Sequence, residues 1–190
     1  MAHLEDTING NGVLCIIGVG LISGSFAIAM KANGFAKKVI GVSRTSASAQ
    51  KAIDLGIIDE VLPLEDAIRQ SDFIYVAIPV DVTIPVMKQI LDMITDKQIV
   101  IDAGSTKKVL CNSIENHPMR KRFVATHPMW GTENSGPEAA QKNAFAGRAC
   151  VICEKELSDE AAVALTEKIY TTFGMHIIYM DAGNHDTHAA

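Results

Sequence analysis

A chain of 190 residues, 48% hydrophobic and 21% charged, has the composition of one folded domain and excludes disorder. Fourteen glycines and six prolines exclude collagenous and low-complexity classes. A formal net charge of -5 argues against a nucleic-acid partner and fits a protein that meets small anions at a local site.

The predicted elements alternate along the chain. Val13–Ile17 is a buried strand closed by Gly18, and Leu21–Ala32 a helix stopped by Gly34. Lys38–Val42 is a strand, Ser46–Leu55 a polar helix, Glu60–Leu62 a short strand and Leu64–Arg69 a short helix. Phe73–Ile78 is a buried strand, and Val82–Ile94 a helix with Pro85 in its first turn. Ile99–Asp102 is a strand and Lys107–Ile114 a helix. Phe123–Thr126 is a strand leading into a loop from His127 to Gly136, and Pro137–Asn143 is expected to be helical. Ala149–Cys153 is a strand, Asp159–Thr172 a helix capped by Ser158, and Met175–Tyr179 the last strand. Asp181 opens a helix that runs to Ala190, marginal unless it finds something to pack on. Strands separated by helices give βαβ units and a doubly wound, mostly parallel α/β sheet covered on both faces.

The first strand runs into Gly18-Val19-Gly20-Leu21-Ile22-Ser23-Gly24-Ser25, a G-x-G-x-x-S variant of the dinucleotide fingerprint in a strand–turn–helix context. This is the Rossmann-type arrangement. Gly18 permits the turn and Gly20 lets backbone approach a pyrophosphate. The free N–H groups at Leu21 and Ile22 face that anion. Ser23 stands where the third glycine is usual, small enough for close helix–strand packing. A ribose-binding carboxylate is expected after the second strand, but Ser43-Arg44-Thr45-Ser46 holds none. Arg44 fits a 2′-phosphate, with Ser43 and its neighbours adding hydrogen bonds, which favours NADP. The alternative is NAD held by hydroxyls alone.

Ligands of such sheets sit at the carboxyl ends of the strands. Three segments there converge with Gly20: Pro79-Val80-Asp81, Ala103 to Lys107, and His127 to Gly131. His127 is suited to take a substrate hydroxyl's proton while a hydride leaves for a nicotinamide. Ser105 is placed to hold the imidazole or the hydroxyl. The plain alternative for His127 is a turn residue before Pro128.

The pieces GVGLISGS (18–25), GVSR (41–44), DAGSTK (102–107), HPMWGTENSG (127–136) and HDTHAA (185–190) resemble the nucleotide-binding half of the prephenate/arogenate dehydrogenase family. The resemblance runs from about Leu14 to Ala190. It implies an oxidative decarboxylation in tyrosine biosynthesis, of prephenate to 4-hydroxyphenylpyruvate or of arogenate to tyrosine. His127 matches the family's catalytic histidine, and Ser105 the serine that orients it and the nicotinamide. His185 and Asp186 match the start of an interdomain helix whose histidine lines the cleft. The implied division is a dinucleotide-binding domain over 1–180 and the beginning of that helix over 181–190. The family continues into a C-terminal all-helical domain that forms a homodimer and supplies basic residues for the substrate. That domain is not in these residues.

Rival readings are a dehydrogenase of 3-hydroxy acids or imines on the same nucleotide domain, and a module that binds NAD(P) only to report redox state. No metal is expected. Cys150 and Cys153 are three apart on a strand and face opposite ways, as core cysteines do. His185 and His188 lack a third ligand. His117 and His176 are ordinary surface or strand residues, Trp130 is packing, Arg120–Arg122 is a solvated loop, and Lys107 is an exposed helix-start lysine. The four cysteines are no disulfide framework. Residues 1–12 carry no secretory pattern, and the apolar run Val13–Ile22 is short of the roughly 20 residues that span a bilayer. The expected setting is the cytoplasm, with no membrane partner.

Overall fold

A computed structural model describes residues 10–189. Residues 1–9, which bear most of the segment read for a leader, and residue 190 lie outside the described residues.

Aliphatic and β-branched runs at Gly12–Ile17 (β1), Ala36–Val42 (β2), Glu60–Val61 (β3), Phe73–Val76 (β4), Ile99–Asp102 (β5), Phe123–Pro128 (β6), Ala149–Cys153 (β7) and His176–Met180 (β8) join in one sheet. Its order is β3-β2-β1-β4-β5-β6-β7-β8. Neighbours pair in parallel except β6 and β7, which are antiparallel. The helices are Leu21–Ala32 (α1), Ser46–Asp54 (α2), Leu64–Arg69 (α3), Val80–Met93 (α4), Lys108–Ile114 (α5), Glu160–Thr172 (α6) and Ala182–His188 (α7).

Side chains alternate across the sheet and build a core on each face. In β1, Leu14 and Ile16 join one core while Cys15 and Ile17 join the other. The first core is aromatic. Phe26 of α1 stacks on Tyr75 at a centroid distance of 3.9 Å and meets Phe173 edge-on at 5.6 Å. The second is aliphatic, with Met87, Ile90 and Leu91 of α4 and Leu110 and Ile114 of α5. Each such side chain fully buried contributes about 1.5–3 kcal/mol. Cys150 lies in the first core and Cys153 in the second, so the pair cannot share an ion. All four cysteines are free and buried. Burial pushes the thiols of Cys15 and Cys153 up to about 12 and that of Cys111 to about 11, which leaves them unreactive. No helix among the described residues is long and apolar enough to cross a membrane.

Most elements fall within one or two residues of expectation, and the larger departures have causes. β6 continues through His127 and Pro128 because β7 pairs with it that far, His127 opposite Val151 and Pro128 opposite Cys150. The segment after Gly136 makes only a single turn of 3-10 helix, Pro137–Ala139. Ala140 then becomes extended, and Gln141 N–H donates to Ser25 Oγ of α1 at 2.9 Å. α4 begins at Val80, so Pro85 lies within the helix beyond its first turn. Asp159, not Ser158, precedes α6; the Ser158 hydroxyl donates to the Phe123 carbonyl at 2.7 Å.

The basic run is solvated only at Lys121. Arg120 and Arg122 are buried, donating to the carbonyls of Phe123 at 2.7 Å and Gln98 at 2.9 Å. α7 is also not marginal. Asp181 caps it by accepting from Asn184 N–H at 2.8 Å, and Ala182 and His185 are buried.

Candidate active site

Strand order reverses between β1 and β4, since the chain runs outward through β2 and β3 and returns on the other side of β1. The crevice at that reversal is where ligands of such sheets bind. Gly18 takes φ +87°, and a side chain there would overlap the Ala77 carbonyl, so only glycine fits. Its N–H donates to Val42 O at 2.9 Å. Ser23 does more than stay small. Its hydroxyl donates to Gly18 O at 2.5 Å and accepts from Gly20 N–H at 2.9 Å, closing the loop at the start of α1. Close packing falls instead to Gly24, whose added Cβ would stand 2.9 Å from Ala140 Cβ.

Two hollows meet across this loop and share Gly20, Ala77, Ile78 and Pro79. The outer one, about 560 Å³, reaches Ser43, Arg44, Thr45 and Ser48. No acidic residue lines it. Arg44 is exposed, and Ser43 Oγ donates to Thr45 O at 3.0 Å. The inner one, about 490 Å³, takes in Leu21, Ile22, Ser105, His127 and Trp130. The cofactor residues read from the sequence thus line one continuous cleft. A hollow of about 570 Å³ at the opposite end of the sheet, among Glu65, Arg69, Asp96 and Lys97, brings together no comparable chemistry.

His127 is half-buried near the carboxyl end of β6. Its Nδ1 lies 2.9 Å from His185 Nε2 of α7, the rings at 72°. His185 Nδ1 lies 2.8 Å from Asp186 Oδ1. Ser105 is exposed on the same cleft, and the ring partner of His127 is His185. Burial first, then the charge of Lys107, pushes the His127 imidazole down to about 4. At neutral pH it is therefore an uncharged base. His188 Nδ1 meets the Asn184 carbonyl at 2.8 Å instead of joining His185. Trp130 packs edge-on to Phe145 at 5.7 Å.

Sequence reasoning missed a buried ion pair next to the Ser105 loop. Lys107 is fully buried and pairs with Asp102, itself buried at the end of β5. Asp102 also accepts from Gly104 N–H at 3.0 Å and Thr126 N–H at 3.1 Å, tying the Ser105 loop to β6. The available signal was Asp102 itself, since a carboxylate ending an apolar strand needs a cation nearby.

Fold and cleft together define a dinucleotide-binding domain of the dehydrogenase type. The family model for "Prephenate dehydrogenase, nucleotide-binding domain" matches residues 26–179. The chain belongs to the prephenate dehydrogenase family, and these residues form its nucleotide-binding domain. It is 29% identical over 98% of its length to the prephenate dehydrogenase of Bacillus subtilis, covering 49% of that protein. It is 33% identical over 91% of its length to that of Lactococcus lactis subsp. cremoris, covering 48%. The chain therefore spans about half the length of these curated relatives. The crystal structure of prephenate dehydrogenase from Aquifex aeolicus in complex with hydroxyphenyl propionate and NAD+ superimposes with a TM-score of 0.85 at 32% identity, covering 92% of this chain and 62% of that one.

Proposed function

We propose that the protein carrying this domain oxidises and decarboxylates prephenate to 4-hydroxyphenylpyruvate, with NADP as the preferred acceptor and arogenate as the alternative substrate. The carrying observation is His127, an uncharged base on a strand end, in one cleft with the fingerprint loop. The chain fits the dinucleotide: Gly18 allows the backbone to turn, and the N–H groups at the start of α1 present positive charge to a pyrophosphate. When bound, the nicotinamide accepts the hydride from the hydroxyl-bearing ring carbon. His127 Nε2 holds the hydroxyl's proton as that carbon–oxygen bond gains carbonyl character. The ring then loses carbon dioxide, the electrons of the broken carbon–carbon bond enter the ring, and His127 returns the proton to the phenol oxygen. Ser105 orients the hydroxyl or the nicotinamide from the cleft wall. The hollow at Arg44 has no carboxylate among its described lining residues, which supports the 2′-phosphate reading. The protein is further read as a cytoplasmic homodimer joined through chain beyond these residues.

The test is the initial rate of nicotinamide reduction by the complete gene product, with prephenate and arogenate each against NAD and NADP. Turnover fastest with prephenate and NADP is expected. His127→Asn should lower kcat by about 10²- to 10⁴-fold with cofactor affinity kept. A folded protein that binds nucleotide but turns over neither substrate would instead be a sensing module or another dehydrogenase.

A further inference from the structure

The contact between His127 and His185 is one link of a longer chain. Asp186 Oδ1 accepts from the backbone N–H of Lys107 at 2.7 Å, and Oδ2 from that of Lys108 at 2.9 Å. Both amides stand at the start of α5, and amides can only donate. Desolvation opposes the charge of Asp186, but hydrogen bonds from His185 and the two amides hold its carboxyl below the usual carboxylate range. An ionised carboxylate only accepts, so the proton between Asp186 and His185 belongs to His185 Nδ1. A neutral imidazole carries one N–H. His185 Nε2 is then bare, and its contact with His127 needs the proton on His127 Nδ1. That leaves Nε2 of His127 as the ring's free lone pair. The His185 side chain is only 1% exposed, so water cannot substitute for Asp186 as its orienting partner.

We propose that Asp186 is a positioning residue: clamped by the two amides that open α5, it sets the tautomer of His185 and through it makes Nε2 of His127 the proton acceptor in the cleft. This rests on the reading of His127 as the base. Asp186→Ala tests it. Oδ1 alone takes both the Lys107 amide and His185 Nδ1, so an asparagine could keep its oxygen there and the tautomer with it, whereas alanine leaves His185 Nδ1 no acceptor. His185 must then donate from Nε2, and His127 keeps its proton on Nε2, where it cannot act as a base.

The experiment combines ¹⁵N-histidine NMR of the complete protein at about pH 8, where imidazoles are neutral, with steady-state kinetics. His127 is assigned by the signals lost in His127→Asn. The expected wild-type spectrum has a protonated Nδ1 and a bare Nε2 on His127. Asp186→Ala should reverse the two and lower kcat by at least about 100-fold, while the cofactor Kd moves by less than about threefold. A wild-type His127 protonated on Nε2 overturns the proposal. So does an Asp186→Ala protein that keeps the wild-type tautomer and a kcat within about threefold. If Asp186→Ala does not fold, the wild-type spectrum decides. A wild-type protein with the expected tautomer but no turnover of either substrate defeats the function proposed above and leaves the relay standing.

Discussion

Two cations, one buried next to the Ser105 loop and one exposed at the outer hollow, act on different things. Lys107 is enclosed with Asp102, and a buried pair deprived of one partner leaves an uncompensated charge costing about 3–5 kcal/mol. Its effect is on the Ser105 loop, which Asp102 holds, and on the proton affinity of His127. Arg44 is exposed at the rim, where a lone charge adds little to folding, so its effect is on the ligand. Arg44→Ala should raise KM for NADP by roughly 10- to 100-fold, the value of a charge-assisted hydrogen bond of about 1.5–3 kcal/mol, and leave KM for NAD nearly unchanged. An equal rise for both cofactors sinks the 2′-phosphate reading. Arg44 and His127 were legible because each is a polar residue placed just after an apolar run. Lys107 was not, because burial of a long cation depends on a carboxylate from another element's end and on α7 closing over the loop. The serine of the fingerprint was legible as a small residue, but its hydrogen bonds depend on backbone positions that only the folded loop defines.

At the scale of elements, the fingerprint loop and α1 form one hydrogen-bonded unit. Ser23 supplies both an acceptor to Gly20 and a donor to Gly18. Replacing it with the glycine usual at that position should weaken the fold. The lost cap costs about 1 kcal/mol and glycine in the helix about 1 kcal/mol more. Urea unfolding of Ser23→Gly should therefore show a lower midpoint at unchanged slope, and a variant as stable as wild type would refute the latch. Apart from the segment after Gly136, element types were legible because the periods of helix and strand differ. Their ends were less so where a neighbour decided them. β6 gains His127 and Pro128 from its pairing with β7. The segment after Pro137 loses its helix to contacts with α1. The charge of Arg120 and Arg122 hid two burials that are completed by carbonyls of neighbouring segments.

For the molecule as a whole, the depressed imidazole couples folding to pH. The ring's proton affinity falls from 6.5 when exposed to about 4 when folded. Between those values the unfolded chain binds the extra proton, so stability falls as pH drops from 6.5 toward 4 and this contribution is constant below. The neighbours that bear on the ring are Lys107, His185 and Asp186. Wild type should lose more stability than His127→Asn between pH 7 and pH 5 in urea unfolding. The opposite order would mean that the folded ring is not held neutral. The doubly wound architecture itself was legible from the alternation of elements. The antiparallel entry of β7 was not, because direction is set by where the chain returns and not by local pattern.

That return also fixes where the ring stands. His127 rides on a strand whose register with Val151 holds its backbone in place, so the base does not swing in or out of the cleft. The segment from Met129 to Gly136 beside it has no regular structure, and segments of that kind rearrange within nanoseconds to microseconds. On the proposed reaction, adjustment to the substrate falls to that segment, and the ring meets it in a fixed place.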